Sequence, residues 1–181
     1  MPPMHSIGLA ISGAIALLLG TPAQAAAAQP TDTDVKAAFL PRFARYVTWP
    51  AAVAPKAGDP FVLCILGNQS FGNAVDSASR SQSVDGRRIV VRKLPSGSVA
   101  NGCQIVFVSG TALQPAGQVL AAIGKRPILT VTDGGSAADR GIVHFTVVGG
   151  RVRFFIDQAA AQQRGLTISS RLLALAVGVR Q

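Results

Sequence analysis

Gly141-Ile-Val-His-Phe-Thr-Val-Val-Gly-Gly-Arg-Val-Arg-Phe-Phe-Ile156 decides how this chain folds. Two β-rich runs meet at Gly149-Gly150, the dipeptide of a tight hairpin, where the turn demands positive φ at both central residues. His144 alternates with Val143 and Phe145, so it points to the opposite sheet face. The second run leads into Asp157-Gln-Ala-Ala-Ala-Gln-Gln-Arg-Gly165, an Ala-rich helix with a glycine at its C-terminal stop. Ser169 then caps a further block, read as an apolar helix through Val177. This terminus is folded and specific, and it shows no catalytic constellation. It points to a protein that binds.

Working outward, Ile128 to Thr132 is a strand ending at the turn Asp133-Gly134-Gly135. Ile105 to Ser109 and Phe61 to Leu66 are continuous apolar runs of buried strands, and Arg88 to Leu94 alternates basic and apolar residues like a half-exposed one. Helices are expected over Gly72–Ser79 and Gln114–Ile123. Apolar strands alternating with helices predict one α/β domain over residues 34–181. Its mixed, mainly parallel sheet lies between helices and ends in the hairpin and closing helices. At the start, Thr31 or Thr33 caps a helix from near Asp34 whose buried face holds Val35, Phe39, Phe43, Tyr46 and Val47. Pro41 is expected to kink or split it, for want of an N–H and for clash with the preceding turn.

Residues 1–25 read as a signal peptide. Ile7 to Leu19 is apolar but shorter than the roughly 20 residues that span a bilayer, and Ala23-Gln24-Ala25 suits a signal peptidase. Cleavage is expected near Ala25, with Ala28 as the alternative cut. A buried N-terminal helix is the competing reading. Residues 26–33 are expected to be disordered. The net charge of +9 falls entirely beyond the leader, which has no charged side chain of these types. Export argues against nucleic acid as the partner, and the basic residues are dispersed rather than blocked. A solvated cationic surface, an acidic protein or a membrane surface remain.

Cys64 and Cys103 are the only cysteines, and an even count in an exported chain points to one disulfide, with free buried thiols as the alternative. Adjacent strands would bring them together, and closing a loop of about 40 residues contributes ~4 kcal/mol in the chain-entropy account. No metal-ligand cluster, cofactor motif or nucleophile elbow is present in the sequence. The run Gly67-Asn-Gln-Ser-Phe-Gly72 lacks the Lys-Ser/Thr ending of a phosphate loop. His144, the only histidine beyond the leader, reads as a structural strand residue. Asp133, at a strand's carboxyl end, reads as a turn former and is the candidate residue for a small-ligand pocket near the Asp133–Gly135 loop.

Lys36-Ala-Ala-Phe-Leu-Pro-Arg-Phe-Ala-Arg-Tyr-Val-Thr-Trp-Pro50, Cys64-Ile-Leu-Gly67, Cys103-Gln-Ile-Val-Phe107, Arg151-Val-Arg-Phe154 and Gly165-Leu-Thr-Ile-Ser-Ser-Arg-Leu-Leu-Ala-Leu-Ala176 together resemble the YfiR family. The resemblance implies a non-catalytic periplasmic α/β repressor. Its partner would be the periplasmic domain of an inner-membrane diguanylate cyclase, whose restraint lowers cyclic-di-GMP and biofilm formation. An outer-membrane lipoprotein that sequesters the repressor and a homodimer are further implied associations. The two cysteines match a family disulfide. Phe155 stands where the family commonly has an acidic residue, within Arg153-Phe-Phe-Ile-Asp-Gln158, and Pro41 replaces a helix-compatible residue. The candidate partner-binding residues are Phe155, Leu166, Ile168 and Arg171, with a periplasmic small-ligand sensor as the alternative function.

Overall fold

Thr31 fixes where the ordered fold begins. Its hydroxyl accepts the Asp34 amide at 3.2 Å, and the Asp34 carboxylate accepts the Thr31 amide at 3.0 Å, a reciprocal cap. Helix α1 (Asp32–Phe43) therefore starts at Asp32, not near Asp34, and takes Asp32 and Thr33 from the segment expected to be disordered. Pro41 does not split α1, which runs on to Phe43. It is buried in the last turn, and after Phe43 the chain tightens into a 3-10 turn (Ala44–Tyr46), so the missing donor falls where the helix is ending. The computed structural model describes residues 29–67, 71–95, 97–98, 100–111 and 114–181; the leader and residues 68–70 of the glycine-flanked loop lie outside them.

Strands β1 (Val47–Thr48) and β2 (Phe61–Gly67) are followed by α2 (Ala74–Arg80), β3 (Ser83–Val84) and β4 (Arg87–Leu94). Then come β5 (Ile105–Ser109), α3 (Ala116–Ile123), β6 (Leu129–Asp133), a 3-10 turn (Ala137–Asp139), β7 (Val143–Val148) and β8 (Arg151–Asp157). The chain closes with α4 (Gln158–Gln163), β9 (Thr167–Ile168), α5 (Ser170–Leu173) and β10 (Gly178–Arg180). The main sheet runs β10-β8-β7-β6-β5-β2-β4-β3, and β1 pairs with β9 in a separate small ladder. All neighbours in the main sheet are parallel except β7 with β8 and β3 with β4. This is the expected mixed, mainly parallel α/β domain. The β7–β8 turn is the expected hairpin, with Gly149 at φ +57° and Gly150 at φ +69°.

Side-chain alternation divides the core in two. One face sends Leu63, Ile65, Phe107, Val131, Phe145 and Phe154 into a cluster with Leu40 and Phe43 of α1, Val75 of α2, Ala161 of α4 and Leu172 of α5. Phe39, Phe43, Phe145 and Phe154 make a continuous aromatic patch there, with Phe43 edge-on to Phe154 at 5.3 Å between centroids. Such contacts add about 0.5–1.5 kcal/mol each beyond area burial. The other face sends Leu66, Val106 and Val108 against Val119 and Ile123 of α3. Cys64 and Cys103 are bonded to each other and buried in this second cluster, with Cα atoms 5.9 Å apart.

The helix expected from Ser169 to Val177 is shorter. Ser169 does cap it, accepting the Arg171 amide at 3.2 Å, but α5 ends at Leu173. The Val177 amide then donates to the Phe154 carbonyl at 3.0 Å, and the chain joins the sheet edge as β10, parallel to β8. The alternating Val177-Gly178-Val179 suits an edge strand better than a helix, since β-branched and glycine residues both disfavour helix.

Candidate functional site

The connection from β6 to β7 is what leaves a site open. Parallel strands are normally joined by a helix that covers the sheet. Here residues 134–142 cross over with only a 3-10 turn, and no helix among the described residues covers β7, β8 and β10 on the α3 side. The crossover is held in place by Asp139. Its carboxylate accepts the Ser136 amide at 3.1 Å and hydroxyl at 2.7 Å, and also the Gly117 amide of α3 at 2.9 Å. These bonds lower the Asp139 pKa, the Ser136 hydroxyl contributing most.

Under the crossover lies a cavity of about 630 Å³ lined by Arg140, Gly141, His144, Phe155, Val179 and Arg180, among others. The sheet register builds its floor. His144 on β7 is opposite Phe155 on β8, and Phe155 is opposite Gly178 on β10. Gly178 is required by close approach, since a Cβ there would stand 2.9 Å from Phe155 Cδ1. The aromatic ring thus covers bare backbone on the neighbouring strand. The Arg140 guanidinium lies over the same ring, 5.5 Å from its centroid, within cation–π range.

His144 is held by a specific chain of bonds. The Gly141 amide donates to Thr132 Oγ1 at 2.8 Å, and Thr132 Oγ1 stands 3.0 Å from His144 Nδ1. Among the described residues Nδ1 is the one acceptor within reach of the Thr132 hydroxyl hydrogen, so the hydroxyl is satisfied by donating to Nδ1, the arrangement that places the imidazole proton on Nε2. Burial pushes the His144 pKa below its ordinary value, and the Arg140 charge adds to this, against a smaller opposing effect of Asp133. His144 is therefore a neutral N–H donor at the cavity floor. At the cavity's far side, Asp157 accepts the Ala160 amide at 2.9 Å to cap α4 and pairs with Arg180 at 2.7 Å.

The candidate residues are scattered by this geometry. Phe155 lines the cavity, half-buried. Leu166 and Ile168 are in the α1-side core, 1% and 7% exposed, where they pack rather than face solvent. The ladder Val47↔Ile168 and the Ser169 amide's bond to the Tyr46 carbonyl draw this segment inward. Arg171 is exposed, but on α5, whose Leu172 enters the core beneath the opposite sheet face. Asp133 is at the carboxyl end of β6, where it pairs with Lys36 of α1 at 2.8 Å. It does not line the cavity, which is at Arg140 to His144, on the other side of the sheet.

Arg140, His144 and Arg180 were not singled out as site residues from sequence. Their signal was partial. The alternation around His144 gave its face, but β10 and the helix-free crossover supply the other walls. Among the described residues, no group of three or more His, Cys, Asp or Glu is placed to hold a metal ion. None of the described helices is long and apolar enough to cross a membrane.

The chain is a mixed α/β module with one well-covered and one half-covered sheet face. The stretch from α1 to the end of the α5 block then gives the family: residues 33–177 match the YfiR/HmsC-like (DUF4154) family, and the chain belongs to it. No curated protein matches the chain. Membership supports a periplasmic regulatory role in general terms. Strand β10, which supplies Val179 and Arg180 to the cavity, lies past the matched stretch.

Proposed function

We propose that this protein is an exported periplasmic repressor, cleaved near Ala25, that binds the periplasmic domain of an inner-membrane diguanylate cyclase and holds it inactive. Cyclic-di-GMP and biofilm formation would fall as a result, and an outer-membrane lipoprotein would relieve the restraint by sequestering the repressor. The observation that carries the reading is the half-covered face of β7 and β8 in a chain of this family. Arg151, Arg153 and Phe155 alternate with the buried Val152, Phe154 and Ile156, so all three present to that open face. Arg151 and Arg153 are exposed, and neither pairs with a carboxylate among the described residues. Repression requires that binding favour the inactive receptor; equal affinity for both receptor states would shift nothing.

The test is binding of the purified protein to the periplasmic domain of a cyclase encoded nearby, followed by the double substitution Arg151→Glu and Arg153→Glu. Wild-type binding, lost in the double variant with a rise in cyclic-di-GMP in cells, supports the reading. Binding unchanged in the variant removes this face from the interface. Failure of the wild type to bind any such domain sinks the repressor reading.

A further inference from the structure

We propose that the cavity between the β6–β7 crossover and β10 binds a small organic carboxylate, with its anionic head between Arg140 and His144 and its apolar body along Phe155 and Val179. This goes beyond the repressor reading and stands without it.

The charge balance at the cavity selects the ligand's sign. Arg180 is already neutralised by Asp157 at 2.7 Å. Arg140 pairs with no carboxylate among the described residues, and its guanidinium carbon lies over the Phe155 ring, 5.5 Å from the centroid. A guanidinium without a carboxylate partner keeps its planar N–H fork for a ligand, the geometry that matches a carboxylate. Beside it, across the β7–β8 register from Phe155, is His144. With Nδ1 engaged by Thr132, its ring proton is carried by Nε2. One free cation and one neutral donor fit a monoanion. A phosphate dianion would leave charge unmatched in a half-buried site. The remaining walls are apolar or backbone, as expected for a ligand body. The volume of about 630 Å³ suits a molecule of metabolite size.

The positioning is built in. Thr132 and Gly141 fix the imidazole, Asp139 anchors the crossover that carries Arg140, and Gly178 lets the Phe155 ring lie flat on the edge strand. These contacts hold the walls without a ligand present.

The probe is benzoate, with benzyl alcohol as its uncharged counterpart and inorganic phosphate as the competing anion. Binding to the purified protein is followed by calorimetry and by the His144 ring signals in NMR. Saturable benzoate binding that moves the His144 signals and raises its pKa is expected, because an anion beside the ring opposes the lowering by burial and Arg140 and acts in the same direction as Asp133, while Asp157 and Arg180 at the cavity's far side neutralise each other. Arg140→Gln should weaken benzoate by about ten- to a hundredfold, the loss of one charge-assisted contact. Phe155→Leu should weaken benzoate more than acetate, provided both variants keep the wild-type circular dichroism spectrum. The proposal is overturned if benzoate leaves His144 unmoved, if benzyl alcohol binds as well, if phosphate binds in preference, or if Arg140→Gln changes nothing. None of these outcomes depends on a cyclase, so this inference and the repressor reading fail separately.

Discussion

The two faces of the sheet are built on opposite principles. The α1 side is covered by α1, α2, α4 and α5 and filled with aromatic rings and aliphatic side chains. Among the described residues, the α3 side has the eight-residue helix α3, a disulfide, and then open space over β7, β8 and β10. Its buried polar residues are Thr130, Thr132 and His144, each hydrogen-bonded. Satisfied polar groups of this kind add modestly to stability and fix the orientation of the side chains they join. On the proposed reading, one face serves stability and the other recognition.

The largest expected effect is on the α1 side. Phe154→Ala should cost about 3–5 kcal/mol in chemical denaturation, because it opens a cavity between Phe39 and Phe43. A cost under about 1 kcal/mol would break the assignment. The disulfide comes next. Replacing Cys64 and Cys103 together by Ala should lower stability by about 2–4 kcal/mol, given a sequence separation of 39. It should leave partner binding intact at temperatures where the variant is folded; loss of binding in a folded variant would make the bond part of recognition.

Acid sharpens the comparison further. Above the ordinary histidine value of 6.5, His144 is neutral in both the folded and unfolded chain, and it imposes no cost. As pH falls below 6.5, the unfolded chain takes up the proton first, so stability declines until the folded pKa is passed. Asp34 and Asp139, lowered from 3.8 by bonds to Thr31 and Ser136, lose their contributions only in stronger acid. Denaturant midpoints measured from pH 7 to pH 5 should fall in the wild type and fall less in His144→Gln. Equal slopes would remove His144 as the source. The smallest expected effect on stability is from Arg153→Glu, within about 0.5 kcal/mol, since the side chain is exposed and unpaired among the described residues. Its consequence should appear in binding alone.

Much of this was legible in the residues. A two-residue turn at Gly149-Gly150 pairs Val148 with Arg151, and counting back along the alternation pairs His144 with Phe155. The buried strands announced themselves by continuous apolar runs, and the cysteines by lying in or beside two of them. The cavity was not legible. Its existence depends on what does not cover the sheet, and a crossover without a helix leaves only a glycine-containing loop in the sequence. Leu166 and Ile168 were not legible as packing residues, because an apolar residue near a terminus looks the same whether it docks a partner or fills a core. The β1–β9 ladder decides between the two, and ladders of this length have too few residues to show a period.

That ladder, with the packing of α1 on β8, also sets an order of events. Phe39 and Phe43 belong to the first helix, yet the rings they meet edge-on belong to Phe154. Val47 waits in the same way for Ile168. The first helix packs on α2, but the part of its buried face that meets Phe154 is filled only when the back of the chain arrives, and such distant closure slows folding. Under the export reading, this delay becomes an asset: a chain that cannot consolidate early remains threadable while it crosses a membrane. A fragment ending at Gly150 should accordingly leave the amides of α1 rapidly exchanging with solvent, and slow exchange there would refute that ordering.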